Sequence, residues 1–301
     1  MPTGPAMDRI LVHGLPFETP LLQLLHTRTD ACFFDDTQHD SATLGFPELG
    51  VASLAAAPVH TPDGAFLGAF LMHTFAMHEW TRDERHLFAA VSEVMANVTA
   101  RLVAEERTAQ AHEDAMRALG LALEARDAET KGHTDRVSDL AVRMATALEL
   151  PPNQITAIRW GAYLHDIGKI GTPDAILHKP GALDPHEIDI IRQHPCIGAA
   201  FAEQLTFLPP TANDVIYLHH ERWDGRGYPL GLSSTAIPLA ARIFAICDVY
   251  DALTHARPYK HAWTTEQALN EIERQAGAHF DPELAALFVR IVMEQQTAFI
   301  K

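Results

Sequence analysis

The sequence predicts an α+β chain: a small N-terminal α/β domain, a long connecting helix and an all-helical C-terminal domain. Three observations carry this reading. Two apolar, β-prone stretches at 51–59 and 65–72 flank Pro62-Asp63-Gly64, a hairpin pattern. From Arg85 to about Arg126 the chain is rich in Ala, Glu, Arg and Leu, with no Pro and a single glycine, Gly120, which favours one continuous helix. From about residue 112 to the end, helical patterns separated by short Gly/Pro punctuation dominate. The segments are 1–104, 85–126 and 112–301, with the helix overlapping both neighbours.

Taken in order, Thr81-Arg82-Asp83-Glu84 has the form of a capping box for the long helix. Leu87, Val91, Val94, Val98 and Leu102 then follow at helical spacing. The first four of these form a coiled-coil-like seam, so a homodimer through the connecting helix is expected. The hairpin, a Gly-containing strand and the exit helix, with Asp63-Gly64 and Leu67-Gly68, resemble the second half of a GAF sensor domain over roughly 45–105. Residues 1–45 are short for the first half, which implies a truncated version; a generic α/β interaction module is the other reading. Further on, Asn153 caps a helix through His165 that closes at Gly168, and Pro185–His194, Thr211–His220, Leu239–Leu253 and Thr265–Gly277 read as helices.

Composition excludes several classes. A net charge of −16 disfavours duplex nucleic acid and anionic lipid as partners. Met1–Glu18 lacks the basic and apolar segments of a signal peptide, and no apolar run approaches the roughly 20 residues of a membrane span, so a cytoplasmic protein is expected. Cys32, Cys196 and Cys247 are widely spaced, against a disulfide framework or a thiolate zinc site. Eighteen histidines is a high count, and those beyond residue 130 fall largely into clusters.

Those clusters carry the chemistry. Glu129 and His133 stand four apart, on one face of a regular helix unless Gly132 breaks it; alone they read as surface residues. His165-Asp166 lies between apolar neighbours, where a carboxylate is costly without a partner or a metal, and Lys169 follows within reach of a phosphate. Asp248 sits in an apolar helix and poses the same problem. With His194 and the adjacent His219-His220, the set is Glu129, His133, His165, Asp166, His194, His219, His220 and Asp248. Eight imidazole and carboxylate ligands exceed what one ion needs, and they suit Fe, Mn or Zn better than Ca or Mg. Two or three clustered metals follow.

The string His219-His220-Glu221 through Gly225-Arg226-Gly227-Tyr228-Pro229 resembles the signature of HD-GYP phosphodiesterases, bacterial enzymes that open cyclic di-GMP. Pro173–Leu177, Lys179-Pro180-Gly181, Arg257-Pro258-Tyr259-Lys260 and Gly277–Pro282 extend the resemblance over most of 122–285. It implies hydrolysis of cyclic di-GMP to pGpG, with GMP a further product, by a hydroxide bridging the metals. His165, Asp166 and Lys169 would be catalytic, with Asp166 as the bridging carboxylate. Tyr228, Arg257, Lys260, Asp127 and Lys169 would contact substrate. The other reading has Tyr228 fixing the turn and Arg257 pairing with a carboxylate such as Asp251. Glu129 occupies the position that marks a trinuclear, iron-binding subgroup, with manganese the alternative ion. Cyclic GMP-AMP as substrate, a non-catalytic receptor, and a diguanylate cyclase partner on the GYP surface are the other functional readings.

Overall fold

The computed structural model describes residues 10, 12, 14–127, 131–256 and 261–299. Glu129, Arg257 and Lys260 therefore lie outside the described residues. The chain divides into two compact units, Met1–Gln110 and Ala111–Lys301.

In the first unit, helix α1 (Pro20–His26) precedes strands β1 (Cys32–Phe34), β2 (Ser53–His60) and β3 (Phe66–Thr74). They form an antiparallel sheet in the order β1-β2-β3, with Cys32 opposite Ala56 and Ala57 opposite Phe70. The 51–59/65–72 hairpin pattern thus gives β2 and β3, each displaced by one or two residues. Both faces of β2 are covered. Leu54 and Ala56 pack with Leu21 and Leu25 of α1, while Ala55 and Ala57 pack with Trp80 and Phe88. A strand covered twice reads as an unbroken apolar run, which is why 54–59 shows no alternation. Pro58 is tolerated because β1 pairs only with Leu54 to Ala56.

Helix α2 spans Arg82–Asp127. Its start is the expected capping box: the Thr81 and Glu84 amides donate to the Glu84 carboxylate and the Thr81 hydroxyl at 2.8 and 3.3 Å. One sequence expectation is corrected here. Although α2 has no continuous apolar run, because Ser92, Glu93 and Asn97 interrupt it, its Ala/Val content gives a stretch with mean hydropathy 1.4, long and apolar enough by length and composition to cross a membrane. That stretch is only 17% buried, and Leu87, Val91, Val94 and Val98 are exposed.

The second unit is helical: α3 (His133–Ala147), α4 (Pro152–Leu164), α5 (Asp174–Leu177), α6 (Pro185–Ile191), α7 (His194–Ala202), α8 (Pro210–Leu218), α9 (Leu239–Thr254), α10 (Thr265–Arg274) and α11 (Pro282–Phe299). On α3, Val137, Ala141, Met144 and Ala145 repeat at helical spacing and are fully buried. They join Ile158, Ile243, Phe244, Cys247, Ile272 and Phe288 in one core. The expected helix Pro185–His194 is corrected: α6 stops at Ile191, and His194 begins a second helix that the sequence reading missed. Pro195 reads as a helix stop, yet proline is equally suited to a first turn. His219 and His220 likewise lie just past α8 rather than inside it.

Phe288 is fully buried in this core, 5.0 Å from the Tyr250 ring. Phe288→Ala should cost about 3–5 kcal/mol, since a large cavity replaces packed aromatic contacts. Denaturant titration of the full chain reads this directly; a loss under about 1 kcal/mol would mean the core is not closed around the ring.

Candidate metal centre

Local structure presents the predicted histidines at or beside helix ends, with Asp248 inside α9. His133 opens α3 behind Gly132, whose φ of +82° is accessible to glycine and strained for other residues. The Glu124 carboxylate of α2 accepts the amides of Gly132 (2.6 Å) and Thr134 (2.9 Å), tying down the start of α3. Gly132 does interrupt the helical path at this point, since α3 begins at His133; Glu129 lies outside the described residues. His165 closes α4, and Asp166 leads a 3₁₀ turn, Ile167–Gly171. Gly168 lets that turn lie against the start of α7: a Cβ there would stand 1.9 Å from the His194 carbonyl oxygen. The sequence reads this glycine as the close of a helix; its use is close approach.

Two groups of potential ligand atoms result, each with its atoms within 4.8 Å of one another: His133, His165 and Asp248, and His194, His219 and His220. Asp166 lies between them. Its Oδ2 is 3.1 Å from His165 Nε2 and its Oδ1 is 3.2 Å from His194 Nε2. Among the described residues the structure thus brings together every predicted ligand except Glu129, which lies outside them.

The orientation of the rings is set by their other nitrogens. Nδ1 of His165 donates to Ala162 O (2.8 Å), that of His194 to Ile191 O (2.7 Å), and that of His219 to Val215 O and Ile216 O (3.1 Å each). A carbonyl oxygen only accepts, so these Nδ1 atoms carry the proton and Nε2 presents a lone pair inward. His133 Nδ1 does the same against the Asp251 carboxylate at 2.7 Å. Asp251, 1% exposed, also takes the Arg136 guanidinium at 2.6 and 2.9 Å.

Electrostatics favour neutral rings at His219 and His220, while at His165 the Asp166 carboxylate beside Nε2 favours a second proton. Burial, reinforced by neighbouring imidazoles, holds His219 well below the ordinary histidine range and His220 at about 3. Burial opposes charge on His165 as well, yet the adjacent Asp166 carboxylate raises it to about 9. Asp166 is largely shielded from water too, but the charges of Lys169 and His165 keep it well below the carboxylate range. The Lys169 ammonium lies 2.6 Å from Asp166 Oδ2 and also meets Asp127. Asp127, expected to contact substrate, is engaged by this lysine.

On the other side, Tyr228 stacks on His220, ring centroids 4.6 Å apart and planes at 26°. Gly227 allows its loop to fold back, because a Cβ would stand 2.5 Å from Glu221 Cα. The buried Glu221 accepts the amides of Leu230 (2.7 Å) and Gly231 (3.0 Å), fastening the loop after the turn. Sequence reasoning missed Glu124, Glu221 and the role of Asp251, which it named only as a partner for Arg257 in the alternative reading. The argument applied to Asp248, a carboxylate in an apolar helix, would have found Asp251.

Asp251→Asn should weaken metal binding roughly 10- to 100-fold, because the neutral amide no longer fixes the His133 proton on Nδ1. Competition titration against a chromophoric chelator measures this; unchanged affinity would make Asp251 a packing residue only.

The HD domain family profile matches residues 117–284. The chain is 41% identical over 177 residues to a cyclic di-GMP phosphodiesterase of Thermotoga maritima, covering 58% of this chain and 48% of that protein. It is 40% identical over 209 residues to the cyclic di-GMP phosphodiesterase response regulator RpfG of Xanthomonas campestris, covering 69% and 51%. A 3'3'-cGAMP-specific phosphodiesterase 2 of Vibrio cholerae is 40% identical over 183 residues, covering 60% and 34%. The chain spans about half the length, or less, of these curated relatives. With the profile match spanning more than half the sequence and enclosing every predicted ligand, this chain belongs to the HD domain family.

Proposed function

We propose that this chain is a metal-dependent phosphodiesterase that opens a cyclic dinucleotide, cyclic di-GMP first among them, to the linear pGpG and then GMP. The observation that carries the metal reading is the pair His194 Nε2 and His219 Nε2, 3.2 Å apart. Both Nδ1 protons are spent on carbonyl oxygens, so two lone pairs face each other in a buried site. Between neutral rings that arrangement is repulsive, and a cation shared by the two nitrogens relieves it.

Divalent metals held by the two groups would make an attacking water more acidic and stabilise charge on the attacking and leaving oxygens. The protein's own contribution is orientation. Asp166 reaches both groups with one carboxylate, and Lys169 places a positive charge beside it. Tyr228 covers His220 at the rim. Arg257 and Lys260 are proposed as further substrate contacts on the sequence resemblance alone. Support for the substrate class comes from the relatives, named for cyclic di-GMP and for 3'3'-cGAMP, so a second cyclic dinucleotide is the alternative substrate.

Glu129 is proposed to recruit a third ion, with iron favoured over manganese. Glu129→Ala should then lower metal content from about three to about two per chain, as loss of one anionic ligand does in a multi-ligand cation site. Anaerobic metal analysis decides this; a wild type that never exceeds two ions would remove the third site.

The N-terminal unit is proposed as a GAF-like sensor in a cytoplasmic protein, with a diguanylate cyclase as a partner at the GYP surface. The exposed stripe Leu87, Val91, Val94 and Val98 supports dimerisation through α2. Light scattering at tens of micromolar should give a dimer, an order of magnitude for working concentration. A monomer there would count against it.

The decisive experiment incubates Mn- or Fe(II)-loaded protein with cyclic di-GMP and cyclic GMP-AMP and separates the products. Wild type should yield a linear dinucleotide, and Asp166→Ala should lose at least about tenfold in rate, since it removes the carboxylate joining the two groups. Tight binding without turnover in metal-replete wild type would instead make the protein a receptor.

A further inference from the structure

Arg192 makes none of the hydrogen bonds that orient the histidine rings. It closes α6, its amide bonded to Ile188 O at 2.9 Å, and lies two residues before His194. That helix is firmly started by a capping box between Asp184 and Glu187, and Lys179 binds the Glu187 carboxylate at 2.6 Å. The guanidinium carbon of Arg192 stands 5.4 Å from the centroid of the Tyr228 ring, the same ring that stacks on His220. Arg192 is solvent-exposed and makes no ion pair among the described residues. A cation placed on an aromatic face keeps its N–H donors free in the ring plane's surroundings, pre-oriented at little entropic cost.

The charge pattern around it gives this placement a use. The buried cation of the site, Lys169, is already engaged by Asp127 and Asp166. A cyclic dinucleotide brings two phosphates and two bases, so whatever is not held over the metal ligands projects toward the rim. We propose that Arg192 is a further substrate-binding residue, receiving a paired-acceptor edge of the dinucleotide beside Tyr228. Two groups have that chemistry: the non-bridging oxygens of the second phosphate, and the O6/N7 edge of guanine. The proposal rests on the cyclic dinucleotide reading.

The test uses the full, Mn-loaded chain as wild type, Arg192→Ala and Arg192→Lys, with cyclic di-GMP as substrate and cyclic di-AMP as competing ligand. Arg192→Ala should raise KM for cyclic di-GMP about tenfold or more with kcat within about threefold, the pattern of a lost contact made equally in ground and transition states. Metal content should not change. Arg192→Lys should recover only part of the loss, because an ammonium cannot make two parallel bonds. An equal rise in the inhibition constant of cyclic di-AMP identifies phosphate as the acceptor, whereas a loss confined to cyclic di-GMP identifies guanine, because adenine presents a donor where guanine has O6. An unchanged KM overturns the proposal, as does a fall in kcat with loss of metal, which would mean Arg192 only positions His194. A wild type that turns over neither cyclic di-GMP nor cyclic GMP-AMP with its metals bound overturns the function itself, and this contact with it.

Discussion

The second unit is organised around imidazole nitrogens that face one another in a largely buried site. Histidine rings left to themselves would rotate their N–H groups toward the nearest acceptor. Here the nearest acceptors lie behind the rings: carbonyl oxygens at Ala162, Ile191, Val215 and Ile216, and the Asp251 carboxylate. Each is a group that cannot donate, so the acceptor behind the ring keeps a proton on Nδ1. Helix ends make this cheap. The carbonyls of a last turn lack intrahelical partners, and a histidine three or four residues on can satisfy one with Nδ1 while pointing Nε2 away. His165 and His219 follow this rule at the ends of α4 and α8, and His194 follows it at the junction of α6 and α7.

Bringing such ends together requires backbone to approach backbone. Gly168 stands against the His194 carbonyl and Gly227 against Glu221, and neither place has room for a Cβ. Phe244 seals the apolar side, its ring 4.8 Å from that of His165 and 5.9 Å from that of His219. Rigid packing there keeps the ring nitrogens close together although like dipoles oppose one another.

Much of this was legible in the residues. His165-Asp166, His219-His220 and Asp248 stood out because charge and imidazole in apolar surroundings need an explanation that ordinary surface chemistry does not supply. The hairpin around Asp63-Gly64 and the long helix were legible from turn chemistry and from the lack of helix breakers. What stayed hidden was the supporting set, and distance along the chain explains it. His133 and Asp251 are 118 residues apart, and no local pattern pairs them. Glu124 caps a helix other than its own, so the usual search for a cap just before the helix start passes over it. His194 was read into the preceding helix because Pro195 signals both a stop and a first turn.

The two ends of α2 illustrate how one element can carry two kinds of sequence. Near its start the apolar residues Leu87, Val91 and Val94 are exposed and form no part of a core beyond Phe88. Near its end the chemistry is polar and specific. Arg126 donates to the carbonyl oxygens of Lys169 and Thr172, both at 2.9 Å, and to Asp174 at 2.8 Å, while Asp127 meets the Lys169 ammonium. Glu124 holds the first turn of α3. The last turn of α2 therefore fixes both the turn that carries Lys169 and the helix that begins with His133. A displacement of that turn by a single residue's rise, about 1.5 Å, would exceed the tolerance of every one of these hydrogen bonds. The end of the helix thus belongs to the candidate metal centre as firmly as the histidines do.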